Sequence, residues 1–165
     1  RRPERVSAVV MIGGFPLGRA KRHSPKDLER AQAIQAMMAA GWDDDYPSLR
    51  DMLAQVIIPS ASEEQRRQYA EDMREIISPE NIARFREIVD NIDVIELLPK
   101  VEAPCLVTHC TGDRMHPIEQ SRLFASELPN SRFIAYESDN HIVPENDPVW
   151  PLLERDIQEF LAAQA

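Results

Sequence analysis

"CLVTHCTGDRMHP", Cys105 to Pro117, is the stretch on which the reading of the whole chain turns. Cys105–Cys110 is a short run dominated by apolar and β-branched side chains, the signature of a buried strand. Gly112 breaks the run, Asp113 follows at once, and Pro117 stands where a helix can begin. In parallel sheets, groups that act on a ligand gather just beyond the carboxyl ends of the strands, and Asp113 occupies such a place. Taken alone it is equally a turn residue, because aspartate after glycine is ordinary turn chemistry.

The residues downstream weigh on that choice. Pro117–Leu128 has the spacing of a helix, and "RFIAYE", Arg132–Glu137, that of a second strand. Asp147-Pro148 is expected to cap a last helix, on which Trp150, Leu153, Ile157, Phe160 and Leu161 share a face. Strand, helix, strand, helix at such short intervals predicts a right-handed crossover and a parallel sheet, hence an α/β fold. His141, in "SDNHIVPE", then falls just past the end of the second strand. Neighbouring strand ends would bring Asp113 and His141 together. An aspartate that accepts a hydrogen bond from an imidazole fixes its tautomer and stabilises the imidazolium formed on proton uptake.

Upstream, "RVSAVVMIGG", Arg5–Gly14, reads as a strand buried on both faces and closed by paired glycines. Four amphipathic helices follow. Ser24-Pro25 opens the first, which runs to Gly41. "YPSLRDMLAQVII", from Tyr46 and Pro47, forms the second, and Pro59 ends it. Ser62–Gln65 has the form of a capping box and starts the third. Ser78–Asn81 starts the fourth, striped by Ile82, Phe85, Ile88, Val89 and Ile92.

At 165 residues, with 43% hydrophobic and 28% charged side chains, the chain has the composition of one globular domain. The net charge of −9 disfavours direct nucleic-acid binding, although the first 22 residues hold six basic side chains against one acid. No apolar run approaches the roughly 20 residues of a membrane span, and the cytoplasm is the expected location. Cys105 and Cys110, five apart on one strand, face opposite ways at a separation of about 16 Å and cannot bridge. His109, Cys110, Asp113 and His116 resemble a metal set in composition only. The side chains of His109 and Cys110 point to opposite faces, so neither a metal nor another cofactor is expected.

Pro104 before an apolar strand, Gly112-Asp113, Pro117 opening a helix, and His141 after the next strand resemble, in that order, the C-terminal segment of the α/β-hydrolase fold. "RVSAVVMIGG" is similar to that family's strand after the nucleophile helix, and the four helices to its cap. The resemblance implies a partial α/β-hydrolase fold of about three parallel strands, flanking helices and an inserted helical cap. Residues 1–23 would form strand and loop, 24–98 the cap, and 99–165 the segment carrying acid and base, all in a single partial domain. It implies Asp113 as triad acid and His141 as base. Substrate-binding positions would fall at His116, where the family usually has an apolar residue, and at Trp42 and Met38 in the cap.

The family's nucleophile lies on a G-x-S-x-G elbow, and none of the five glycines here flanks a serine with that spacing. The expectation is therefore the C-terminal portion of a serine hydrolase acting on an ester, amide or related small-molecule carbonyl substrate, inactive without an upstream serine. Cys110 is a weaker alternative nucleophile, since a strand position argues for an inert, buried thiol. Similar stretches, including the "DVIELLPKVEAP" lead-in, occur in proteins fused to winged-helix regulatory or nucleotide-cyclase domains. That resemblance implies the rival function of a ligand-sensing or interaction module without catalysis. Partners beyond a small molecule would be an upstream domain of the same protein or a second copy, because three strands of a larger sheet leave an apolar edge.

Overall fold

In the computed structural model the described residues are 2–42 and 48–164; Tyr46 and Pro47 of the expected second helix lie outside them. In chain order the elements are β1 (Val9–Ile12), α1 (Pro25–Gly41), α2 (Ser48–Ile57), α3 (Glu63–Ile76), α4 (Pro79–Asp90), β2 (Cys105–Cys110), α5 (Ile118–Glu127), β3 (Ser131–Tyr136) and α6 (Trp150–Ala162). Two compact units result. One contains β1, the short segment Ile57–Ser60 and everything from Val94 onward; the other comprises Leu17–Val56 and Ala61–Asp93.

In the first unit the three strands are parallel, in the order β1-β2-β3. All six residues of β2 are buried, which is why this stretch tolerates so little charge. Its alternation feeds two cores. Cys105 and Val107 pack with Leu98, Leu128, Phe124 and Phe133 on one face. Cys110 packs with Tyr136, Val143, Val149 and Leu153 on the other. The two cysteines thus belong to opposite faces, and both are free thiols.

β1 is shorter and wetter than its sequence suggests. Pro3–Arg5 forms a one-turn 3-10 helix, and the ladder starts only at Val9, whose N–H donates to the Pro104 carbonyl. Pro104 has no N–H to return, so pairing cannot extend further back. β1 is half-buried rather than enclosed, and Ile12 is exposed. Asp147 also departs from expectation. α6 is capped by Val149 without a side-chain bond, while Asp147 accepts from the Val149 N–H and turns its other oxygen to Ser138, Ser60 and Asn140.

In the helical unit the serine starts form as written. Ser24 Oγ accepts from Asp27 N–H, Ser78 Oγ from Asn81 N–H, and Ser62 and Gln65 close both bonds of a capping box. Asp90 at the end of α4 accepts from Arg86 at 2.5 Å and from Arg19 at 3.2 Å, all three buried. Among the described residues no helix is long and apolar enough to cross a membrane.

Candidate active site

The turn after β2 is built around a close approach. Thr111 and Gly112 keep donating to the β3 side, to Tyr136 and Ser138 carbonyls, and the Asp113 N–H turns back to the Cys110 carbonyl. A Cβ on Gly112 would stand 1.9 Å from Asp139 Oδ1 and 3.1 Å from the Asp139 Cα, so a larger residue would have to displace the exposed Asp139 side chain. The turn directs the Asp113 side chain inward, where it is 1% exposed. Its Oδ1 accepts from Met115 N–H at 2.7 Å and His116 N–H at 3.3 Å. Its Oδ2 accepts from His141 Nδ1 at 2.8 Å.

His141 is delivered by a loop whose backbone has its own anchors. The N–H groups of His141 and Ile142 both donate to the Ile57 carbonyl. The preceding Asn140 is fully buried. Its amide donates to Ser60, Ser138 and Asp147, and its oxygen accepts from the Ser60 N–H. Behind the ring stands Gly13, at φ +61°. A Cβ there would come within 2.9 Å of His141 Nδ1 and Cε1, and 3.6 Å of Asp113 Oδ2. The glycine pair after β1, legible in sequence only as a strand end, is thus part of the site's wall.

With Nδ1–H donated to Asp113, the other nitrogen of His141, Nε2, is left to take or give a proton, and the imidazole ring is 21% exposed. The buried carboxylate has its accepting capacity directed at three N–H groups, which fixes its orientation toward the imidazole.

Of the residues expected at the site, Asp113, His141 and His116 come together. The His116 ring is buried, stacks on Phe15 at 4.0 Å, and lies 5.4 Å from the His141 ring at a 60° tilt. Trp42 and Met38 lie in the interior of the helical unit, 2% and 4% exposed, with Trp42 Nε1 donating to the Ile77 carbonyl. Cys110 is held in the apolar core between β2 and α6. Burial pushes its thiol up to about 11, so it stays protonated near neutrality. No group of three His, Cys, Asp or Glu side chains among the described residues is placed to hold a metal ion. Gly13 and Asn140 escaped sequence reasoning, since each reads locally as turn or strand filler, and His109 was weighed there only as a metal ligand.

The fold recurs in solved structures. A hydrolase from Oleispira antarctica superposes with a TM-score of 0.74 at 20% identity, over 95% of this chain and 59% of its own length. The enol-lactonase from Burkholderia xenovorans LB400 gives 0.73 at 17% identity, over 98% and 58%. The esterase from Exiguobacterium antarcticum gives 0.70 at 16%, over 96% and 56%. This chain carries part of the α/β-hydrolase fold. No protein-family model matches it. A curated relative named as a carbamate hydrolase, RutD, from Pseudomonas savastanoi pv. phaseolicola, is 29% identical over 85 residues. That match takes in 52% of this chain and 32% of the relative. The α/β-hydrolase fold is therefore present here over somewhat less than two thirds of the length of the solved proteins that share it, and the match to RutD spans about a third of that protein.

Proposed function

We propose that this chain supplies the acid and the base of a serine hydrolase site acting on an ester, amide or related carbonyl substrate. The observation that carries the reading is the 2.8 Å bond from His141 Nδ1 to a buried Asp113 carboxylate at adjacent ends of parallel strands. The names of the structural neighbours, which include an esterase and an enol-lactonase, and of the carbamate hydrolase relative lend it support.

In this reading His141 Nε2 takes the proton of an attacking hydroxyl and later returns it to the leaving group. Asp113 keeps the imidazole in the Nδ1–H tautomer and stabilises its cation without itself being protonated. The hydroxyl belongs to a serine outside these 165 residues, where a G-x-S-x-G elbow would present it. His116 sits close enough to His141 to border the bound substrate.

Hydrolysis of p-nitrophenyl acetate tests the proposal on two proteins, the 165-residue chain and one extended through its natural upstream coding sequence to the length of the solved neighbours. The longer protein is expected to turn over and to lose about 10³-fold or more in kcat with His141→Ala, while the short chain is inactive. Turnover by the short chain that depends on His141 overturns the assignment of the nucleophile. A longer protein that binds small carbonyl compounds but hydrolyses none would favour the sensing role instead.

A further inference from the structure

One buried imidazole connects segments that the acid–base pair itself leaves separate. His109 leaves β2 on the face opposite Cys110 and is 1% exposed. Its Nδ1 lies 2.8 Å from Ser121 Oγ on α5, and its Nε2 lies 3.1 Å from the His116 carbonyl. Ser121 Oγ also lies 2.7 Å from the Gly14 carbonyl. The same Nε2 is 3.6 Å from Asp113 Oδ2, beyond a good hydrogen bond but adjacent to the acid.

Each end of this chain of contacts reaches one half of the pair. His116 closes the turn whose N–H groups hold Asp113 Oδ1. Gly14 adjoins Gly13, the residue against which the His141 ring rests. Both ends are carbonyls, which only accept. Nε2 must therefore donate to His116, and the Ser121 hydroxyl is shared between Gly14 and Nδ1. An apolar ring of similar size would fill the space but remove the donor that meets the His116 carbonyl and the ring nitrogen that meets Ser121, whose hydroxyl would keep only the Gly14 carbonyl of these two contacts.

We infer that His109, acting with Ser121, is a positioning residue for the Asp113–His141 pair, fixing the acid's turn and the glycine turn behind the base relative to each other. The inference rests on the acid–base reading of that pair. It goes beyond it by assigning a role to a strand residue that touches neither substrate nor nucleophile. A histidine that merely fills the core would be replaceable by phenylalanine without consequence for His141.

The experiment is imidazole NMR on the 15N-histidine-labelled 165-residue chain, following the low-field Nδ1–H of His141 and its exchange with water. Asp113→Asn is the control and removes that signal. His109→Phe is expected to broaden it beyond detection or to speed its exchange roughly tenfold, the change about one hydrogen bond supports. His109→Gln, which keeps a donor toward the His116 carbonyl, restores part of the protection. Ser121→Ala, which deletes one hydroxyl, shifts exchange the same way by a smaller factor and decides the matter if His109→Phe does not fold. A His141 signal unchanged in folded His109→Phe or in Ser121→Ala, yet lost in Asp113→Asn, overturns the positioning role and leaves the pair standing. An unmodified chain that shows no protected His141 Nδ1–H, or one indifferent to Asp113→Asn, overturns both.

Discussion

At the scale of single residues, the site rests on backbone as much as on side chains. Gly13 meets two demands at once, a left-handed φ of +61° and a ring 2.9 Å from where a Cβ would stand. Gly13→Ala should therefore cost about 1–2 kcal/mol from the backbone alone, with a further loss as the His141 ring is pushed off Asp113. Urea denaturation reads the first effect and the His141 Nδ1–H signal the second; an unchanged midpoint with an unchanged signal would show that neither constraint operates. The meeting of Asp113 and His141 was legible in the sequence because strand ends in a parallel sheet are few and polar residues there are conspicuous. Gly13 and His109 were not. A glycine after a strand announces a turn but not what will be pressed against it. A histidine inside a strand announces burial but not the carbonyl and the hydroxyl that its nitrogens will meet.

At the scale of elements, the caps were legible and the strand ends were not, for a physical reason. A helix start is a local event, so Ser24, Ser62 and Ser78 form the bonds their sequences describe. A strand is defined by its neighbour, and β1 waits for Pro104 to come alongside before it begins. Asp147 shows the same contest. Its sequence suits a helix cap, yet the buried amide of Asn140 claims it. The seam between β3 and α6 offers a pH test. Tyr136 Oη donates to Asp156 Oδ2 at 2.7 Å, and Arg155 adds a charged contact. The tyrosine bond first, and then Arg155, hold the Asp156 carboxyl below its ordinary value of 3.8. The folded state thus binds fewer protons than the unfolded one across that window, and the stabilisation is full above about 3.8 and fades as pH falls through the depressed value. Tyr136→Phe should cost roughly 1.5–3 kcal/mol near neutrality, and its difference from the unmodified chain should shrink in acid. A penalty that stays constant from pH 7 to about pH 3 would assign the tyrosine's contribution to packing, not to the charged bond.

For the whole molecule, the fold class followed from the apolar run of β2 and the rhythm of strand and helix. The expectation was a single partial domain with residues 24–98 as its cap. The compact helical unit runs from Leu17 to Asp93, with Ile57–Ser60 given over to the sheet unit. That excursion has a cause invisible in sequence: the Ile57 carbonyl takes the N–H groups of His141 and Ile142, and Ser60 joins the Asn140 network. A second consequence concerns β1. Among the described residues it pairs with β2 alone, and its free side carries backbone groups beside an exposed Ile12. Such an edge recruits another strand unless charge or a covering segment blocks it, and β1, Val9–Ile12, contains neither lysine nor proline. The 165-residue chain should accordingly sediment as a dimer or larger species at micromolar concentration. Ile12→Lys, which places a charge at an already exposed position, should shift it toward monomer without loss of helix content by circular dichroism. A well-folded monomer that persists up to about 100 µM, where a weak pairing edge would still be half occupied, would mean that β1 is covered by some other part of the molecule, and the exposed edge would have to be abandoned as the source of association.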